Sequence, residues 1–177
     1  QIDRNVTYNY AEKIWYIGTL ARSSWADRGV YSNPYAAEFE SSDTTATIST
    51  INGVKEGRTF VYLHEEGVND DGAAMSCHVE SGDIDVGDGD RFLSVSRFIP
   101  DFKNQVGEVD ITVKSRPYPS ASQRTHGPFT VTTSTTKKDT RIRGRQLALR
   151  VSSDAVDDKW RYGTIRFDGK PDGMRGG

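Results

Sequence analysis

A single cysteine, Cys77, stands in 177 residues, so an internal disulfide is excluded and cysteine usage leaves the redox compartment open. No apolar run approaches the ~20 residues that a helix needs to cross a bilayer, and no secretory apolar segment opens the chain, so this segment is not expected to insert into a membrane. Net charge is nearly absent: 23 Lys and Arg face 25 Asp and Glu, a formal −2, which gives no global pull toward nucleic acid or anionic lipid. Helical periodicity is missing too; Ala36–Ser41 comes nearest and is too short to hold a helix. There is no G-x-S-x-G, no glycine-rich phosphate loop and no paired-glutamate signature. Neither catalysis nor a cofactor is expected.

What remains is β-competent sequence cut by turn residues. Val6–Leu20, rich in aromatic and β-branched residues, predicts one or two strands, followed by turns at Asp27–Gly29 and Asn33–Pro34. Ser41–Thr50 is a polar Ser/Thr tract, a surface loop or an edge strand, and Asn52–Gly53 is a hairpin-type turn. Arg58–His64 and Ala74–Glu80 predict strands on either side of an acidic, glycine-rich loop. In the second of these, Met75, Cys77 and Val79 alternate, which favours a packed thiol. Ser81–Asp90 reads as a turn or short strand before a strand at Arg91–Ile99, and Pro100–Gly107 breaks the pattern. Glu108–Ser115 alternates most clearly, with Val109, Ile111 and Val113 on one face and a wet face opposite. Arg116–Pro128, with three prolines, predicts an extended loop, and Phe129–Thr135 a further strand. Short strands at such spacing mean an all-β chain of antiparallel sheets, a β-sandwich or propeller-like units with little or no helix. Residues 1–177 read as a single all-β region with a possible sub-boundary near 116–128.

The most legible stretch is the last. Arg141–Ser152 and Trp160–Asp168 flank a polar connection and predict an antiparallel hairpin. Their phase carries a contradiction: Arg141, Arg143 and Arg145 share parity with Leu147, Leu149 and Val151, which one buried strand face does not allow. Gly144 is where a bulge or sharp bend would shift the phase. Gly163 would do the same between Trp160, Tyr162 and Ile165, Phe167. W-x-x-G-T occurs at both Trp15–Thr19 and Trp160–Thr164, a faint internal echo.

Several clusters could carry chemistry. Asp83, Asp85, Asp88 and Asp90 form the only metal-like run, but counted as a calcium loop from Asp83 the fifth, sixth and twelfth places are Gly87, Asp88 and Ser94, so the pattern fails. The simpler reading is a turn whose aspartates cap backbone amides; a hydrolase reading would require a bound cation and a cleft there. His64, His78 and His126 lack ligand spacing, and Cys77 and His78, adjacent in a strand, point to opposite faces. Arg141, Arg143, Arg145, Arg150, Arg161 and Arg166 would line the terminal hairpin as a basic ribbon with Trp160 and Tyr162 as stacking faces. Against this stands the reading in which the arginines pair with acids on neighbouring strands or subunits and Trp160 is core. The acidic stretch Asp83–Asp90 and the basic one Lys137–Arg150 give opposite local fields, which suits head-to-tail subunit contacts.

The segments R-G-R-Q-L-A-L-R-V-S-S-D (from Arg143) and W-R-Y-G-T-I-R-F-D-G-K-P-D-G-M-R (from Trp160) resemble the C-terminal part of short-tailed phage tail proteins, called tail tubular, nozzle or packaged-DNA-stabilising proteins. W-x9-W-A-D-R-G-V-Y at Trp15–Tyr31, L-H-E-E-G-V-N at Leu63–Asn69, S-G-D-I-D-V-G-D-G-D-R-F at Ser81–Phe92 and R-F-I-P-D-F at Arg97–Phe102 fit the same picture. The resemblance implies a non-enzymatic virion protein of propeller-like and β-sheet units. Identical subunits, six by resemblance, would ring a channel for DNA exit, touching other tail proteins such as adaptor or fibres. Trp15, Trp25 and Trp160 would then pack at edges, and the six arginines would face subunit neighbours or passing DNA. Members of that family are several times longer, which with Gln1 in place of Met leads to the expectation that this is the C-terminal part of a longer polypeptide. The alternative is a β-rich carbohydrate or host-surface binding module that uses Trp25, Tyr31 and Tyr35 as a stacking platform.

Overall fold

The computed structural model describes residues 4–20, 22–40, 50–51, 54–55, 58–85 and 91–174. The polar tract up to residue 49, the Asn52–Gly53 turn, and Asp88 and Asp90 lie outside them. The chain forms two compact units, Gln1–Gly67 and Val68–Gly177. The described residues are all-β, with antiparallel sheets, no helix and no closed barrel. The stretch 116–128 lies inside the second unit.

In the N-terminal unit, β1 (Asn5–Asn9) and β2 (Ile14–Gly18) form a two-stranded ribbon. Its turn is closed by Asn9 Oδ1, which accepts from the N–H groups of Ala11 and Glu12, each at 3.1 Å. Next come β3 (Ser24–Ala26), β4 (Tyr35–Glu40), the two-residue strands β5 (Thr50–Ile51) and β6 (Val54–Lys55), and β7 (Arg58–Leu63). β3, β4 and β7 form one sheet in that order.

In the C-terminal unit the strands are β8 (Cys77–Glu80), β9 (Ile84–Asp85), β10 (Arg91–Ile99), β11 (Phe102–Val106), β12 (Val109–Arg116), β13 (Arg124–Val131), β14 (Lys138–Gly144), β15 (Gln146–Ser153), β16 (Lys159–Tyr162) and β17 (Arg166–Met174). One sheet runs β14-β10-β17, another β13-β12-β15-β8 with β9 also on β15, and β11 pairs β16. Val95, Phe98 and Ile142 from the first sheet and Val109, Ile111, Val113, Val131, Leu147 and Val151 from the second make a single buried cluster. At roughly 1.5–3 kcal/mol for each fully buried aliphatic or Phe side chain, this cluster is the main source of the unit's stability. β12 alternates buried and half-buried along its length, as its sequence pattern requires. Its second face is less wet than expected because Lys114 and Arg116 are tied down by Glu80 and Asp83.

The expected terminal hairpin does not form. β15 pairs with β12, β8 and β9; β16 pairs with β11, and β17 with β10. The cause lies at the two glycines. The chain leaves the β10 sheet at Gly144, where Leu93 is its partner, and enters the β12 sheet at Gln146. The buried phase flips there, from Thr140 and Ile142 to Leu147 and Val151, as the parity contradiction demands. At Gly163 the chain passes between β16 and β17, and Gly163 N–H donates to Asp101 C=O at 2.9 Å. Asp101 sits in the Pro100–Asp101 break between β10 and β11, so two antiparallel strand pairs bend at one level. The pattern break at Pro100–Gly107 is therefore a corner followed by β11, in which Asn104 takes a φ of 55°.

Two further expectations are corrected. The proline-rich loop shrinks to 117–123, because β13 begins at Arg124 and carries Pro128. A strand bonded only to β12 tolerates that proline, and a register shift between Ile111 and Val113 absorbs the extra residue. Cys77 is exposed rather than packed, since β8 is an edge strand, and its Val79 and the preceding Met75 are about half exposed as well.

Candidate functional site

The six arginines do not share a ribbon, because the hairpin that would have aligned them is replaced by strands of three different sheets. Arg143 Nε donates to Asp172 Oδ2 at 2.6 Å, and its guanidinium lies 4.1 Å from the Phe92 ring. Arg150 donates to Glu80 at 3.1 Å. Arg145 is half-buried at the sheet-changing corner, its N–H donating to Arg116 C=O at 3.0 Å. Arg141, Arg161 and Arg166 are exposed.

Of the acidic run, the described members Asp83 and Asp85 are held by neighbours. Asp83 pairs with Arg116 at 2.7 Å and accepts from Gln123 at 3.2 Å, and Asp85 accepts from the buried Gln146 at 3.2 Å. Among the described residues no group of three or more His, Cys, Asp or Glu could hold a metal ion.

One sequence reading pairs the arginines with acids on neighbouring strands without naming the acids, and it does not anticipate Lys114 or the polar contacts between strands. Glu80 binds both Lys114 and Arg150; the Lys114 contact first, then Arg150, holds its carboxyl below the usual carboxylate range. Ser115, buried on β12, has its Oγ 2.9 Å from His126 Nε2. Burial, then the charge of Arg124, holds that imidazole below its ordinary value. A serine and a histidine in contact suggest a nucleophile, but Ser115 is 3% exposed, so the pair reads as cross-strand structure. Trp160 is half-buried, edge-on to Phe102 at 6.0 Å, its Nε1–H donating to Ser153 at 2.9 Å. Burial raises the Tyr162 hydroxyl above its ordinary value.

The N-terminal unit is the opposite case. Among its residues of described burial, Ala36 is the one buried apolar side chain, whereas Trp15 is 64% and Trp25 55% exposed. Trp15 stacks on Tyr8 at 4.5 Å and Trp25 on His64 at 4.6 Å. Ala36 is opposite Tyr62, and on that face the guanidinium of Arg22 lies over Tyr62 at 3.9 Å, donates to Glu38 at 2.5 Å and to His64 Nε2 at 3.3 Å.

Register decides how the exposed rings are grouped. Trp25 is opposite Ala36, and Ala26 opposite Tyr35; neighbours along a strand point to opposite faces. Tyr35, with Tyr31 edge-on at 4.9 Å, therefore lies on the other side of the sheet from Trp25. The single platform of Trp25, Tyr31 and Tyr35 does not exist.

No protein-family model matches the chain, and no curated protein matches it significantly.

Proposed function

We propose that this chain is a structural subunit of an oligomeric β assembly, a wall rather than a reactor. In the family it resembles by sequence, that assembly is the tail nozzle of a short-tailed phage virion. One observation carries the reading: the C-terminal unit holds a buried core, while exposed large apolar side chains concentrate in the N-terminal unit, whose residues of described burial include one buried apolar side chain, Ala36. A two-stranded ribbon or a small sheet with a bare apolar face is marginal alone and gains its stability from what covers it. Asp83, Asp85, His126 and Cys77 are held or exposed as structural residues, which fits a part with no reaction to perform. Arg141, Arg161 and Arg166 are available to neighbouring subunits or to passing DNA. A few scattered cations suit a conduit, because strong phosphate binding would stall transport. The carbohydrate-binding alternative keeps the exposure of Trp25 and Tyr31, but Tyr35 is half-buried and the three rings have no common face.

Light scattering and negative-stain images of the purified chain, alone and with other tail proteins, test this. Rings or stacked oligomers, or stable association with an adaptor or fibre protein, are expected. A monomer at physiological salt that joins nothing would remove the reading.

A further inference from the structure

Arg22 leads into β3, and Trp25 is the middle residue of that strand. β3 has three residues and pairs with β4 alone, so it is an edge strand with a short ladder. Both side chains reach the same ring. Arg22 Nε donates to His64 Nε2 at 3.3 Å, and the Trp25 indole stacks on the imidazole at 4.6 Å. His64 follows β7, the far strand of the sheet, and its N–H donates to Pro34 C=O at 2.9 Å. Trp25, Ala36 and Tyr62 stand in one row across the sheet, and the ring lies on that same face.

The bond between Arg22 and His64 depends on charge. A guanidinium keeps its proton in proteins, and the Arg22 side chain is 7% exposed, so losing its partners is costly. A neutral imidazole accepts through one nitrogen, whereas a protonated one donates through both. Protonation of His64 therefore sets donor against donor and cation against cation. Among the described residues, the charged groups on this face are Arg22 ahead of β3 and Glu38 on β4. Glu38 accepts from Arg22 at 2.5 Å. It is opposite Phe60, with Tyr62 between that level and His64, so it anchors the guanidinium rather than the imidazole. Tyr62 lies under the guanidinium, and Glu65, next in the chain, pairs with Arg28. Stacking on Trp25 favours an imidazolium, but the indole is 55% exposed, which weakens that gain.

We propose that His64 is a pH-operated latch on β3: neutral, it holds the strand through Arg22 and Trp25; protonated, it repels Arg22 and releases the edge. The device belongs to the N-terminal unit by itself and goes beyond the assembly reading. Release of β3 bares the β4 edge, whose backbone groups are then open to pair with another strand. An unfolded histidine takes up its proton near pH ~6.5. The latched ring has to stay neutral, so the hold on β3 is complete above that pH and weakens as pH falls below it.

Hydrogen exchange of the full chain at one dilute concentration, from about pH 8 to about pH 5 where histidine titrates, tests the latch. The amides of Ser23, which donates to Ala37 C=O at 2.8 Å, and of β3 are followed. Their protection is expected to fall by up to about tenfold for each pH unit below ~6.5. His64→Gln brings an amide oxygen to the place of Nε2 and does not titrate, so in that variant the same amides are expected to keep their protection throughout. The acid response of His126 in the C-terminal unit persists in it and serves as the internal control. Should His64→Gln fail to match wild type at the alkaline end, Arg22→Gln replaces it. That side chain is neutral and both donates and accepts, so it meets either state of the ring, and the fall with acid is expected to disappear. A variant that loses protection with acid as wild type does overturns the latch. So does a wild type whose β3 protection is the same at both ends of the range.

Discussion

Gly144 lies so close to Ser115 that a Cβ built on it would stand 2.8 Å from the Ser115 Cβ, with Gln146 C=O at 3.1 Å and Leu147 Cδ2 at 3.3 Å. Strand to strand, that contact fixes the corner at which the chain changes sheets. Gly144→Ala is expected to lower the stability of the full chain by about 1–3 kcal/mol through overpacking. Gly82→Ala, where nothing lies within 4 Å, should change it little. Urea unfolding of both variants checks the contrast; equal effects would contradict it.

The core should respond as a packed one, and only in the C-terminal unit. Ile111→Ala, in the buried cluster, is expected to cost about 2–5 kcal/mol. Val61→Ala, at a position 69% exposed, should cost under ~0.5 kcal/mol in dilute solution. A Val61 effect as large as that of Ile111 would mean that the N-terminal sheet face is covered within the monomer.

Acid should weaken the fold in two stages. His126 has a folded value below its ordinary 6.5, so the unfolded chain binds protons first, and stability falls as pH drops from there toward the folded value. Glu80 has a folded value below 4.5. Its pairs with Lys114 and Arg150 are fully stabilising above that point and are lost as pH falls through the folded value. The urea midpoint is expected to decline through both windows, with His126→Gln flattening the upper and Glu80→Gln the lower. A midpoint that rises between about pH 7 and about pH 5 would have the sign wrong.

The parity conflict around Gly144 and Gly163 made the bends readable from the sequence, since a strand cannot bury arginine and leucine in one phase. The strand partners were not readable. Two neighbouring runs joined by a polar connection look like a hairpin, and only long-range packing assigns β15 to β12 and β17 to β10. Pro128 hid a strand because edge position and bulge, neither visible locally, make the proline tolerable. Cys77 was misjudged for a related reason: alternation shows which face a residue shares, not whether anything covers that face. The same limit applied to Trp25 and Tyr35, whose opposite orientation needed the β3–β4 register. Glu80 with its two cations joins residues far apart in sequence and left no local signal.

Hydrogen exchange of the full chain against concentration bears most directly on the claim that the N-terminal unit is completed by its neighbours. Amides of Val6–Asn9 and Ile14–Gly18 should gain protection by at least tenfold as the chain assembles, ~1.4 kcal/mol of added local stability. Those of Val109–Ser115 and Leu147–Val151, already in a finished core, should not change. Ribbon amides that exchange at one rate from the most dilute sample to the most concentrated, while the chain assembles or stays single, would contradict it.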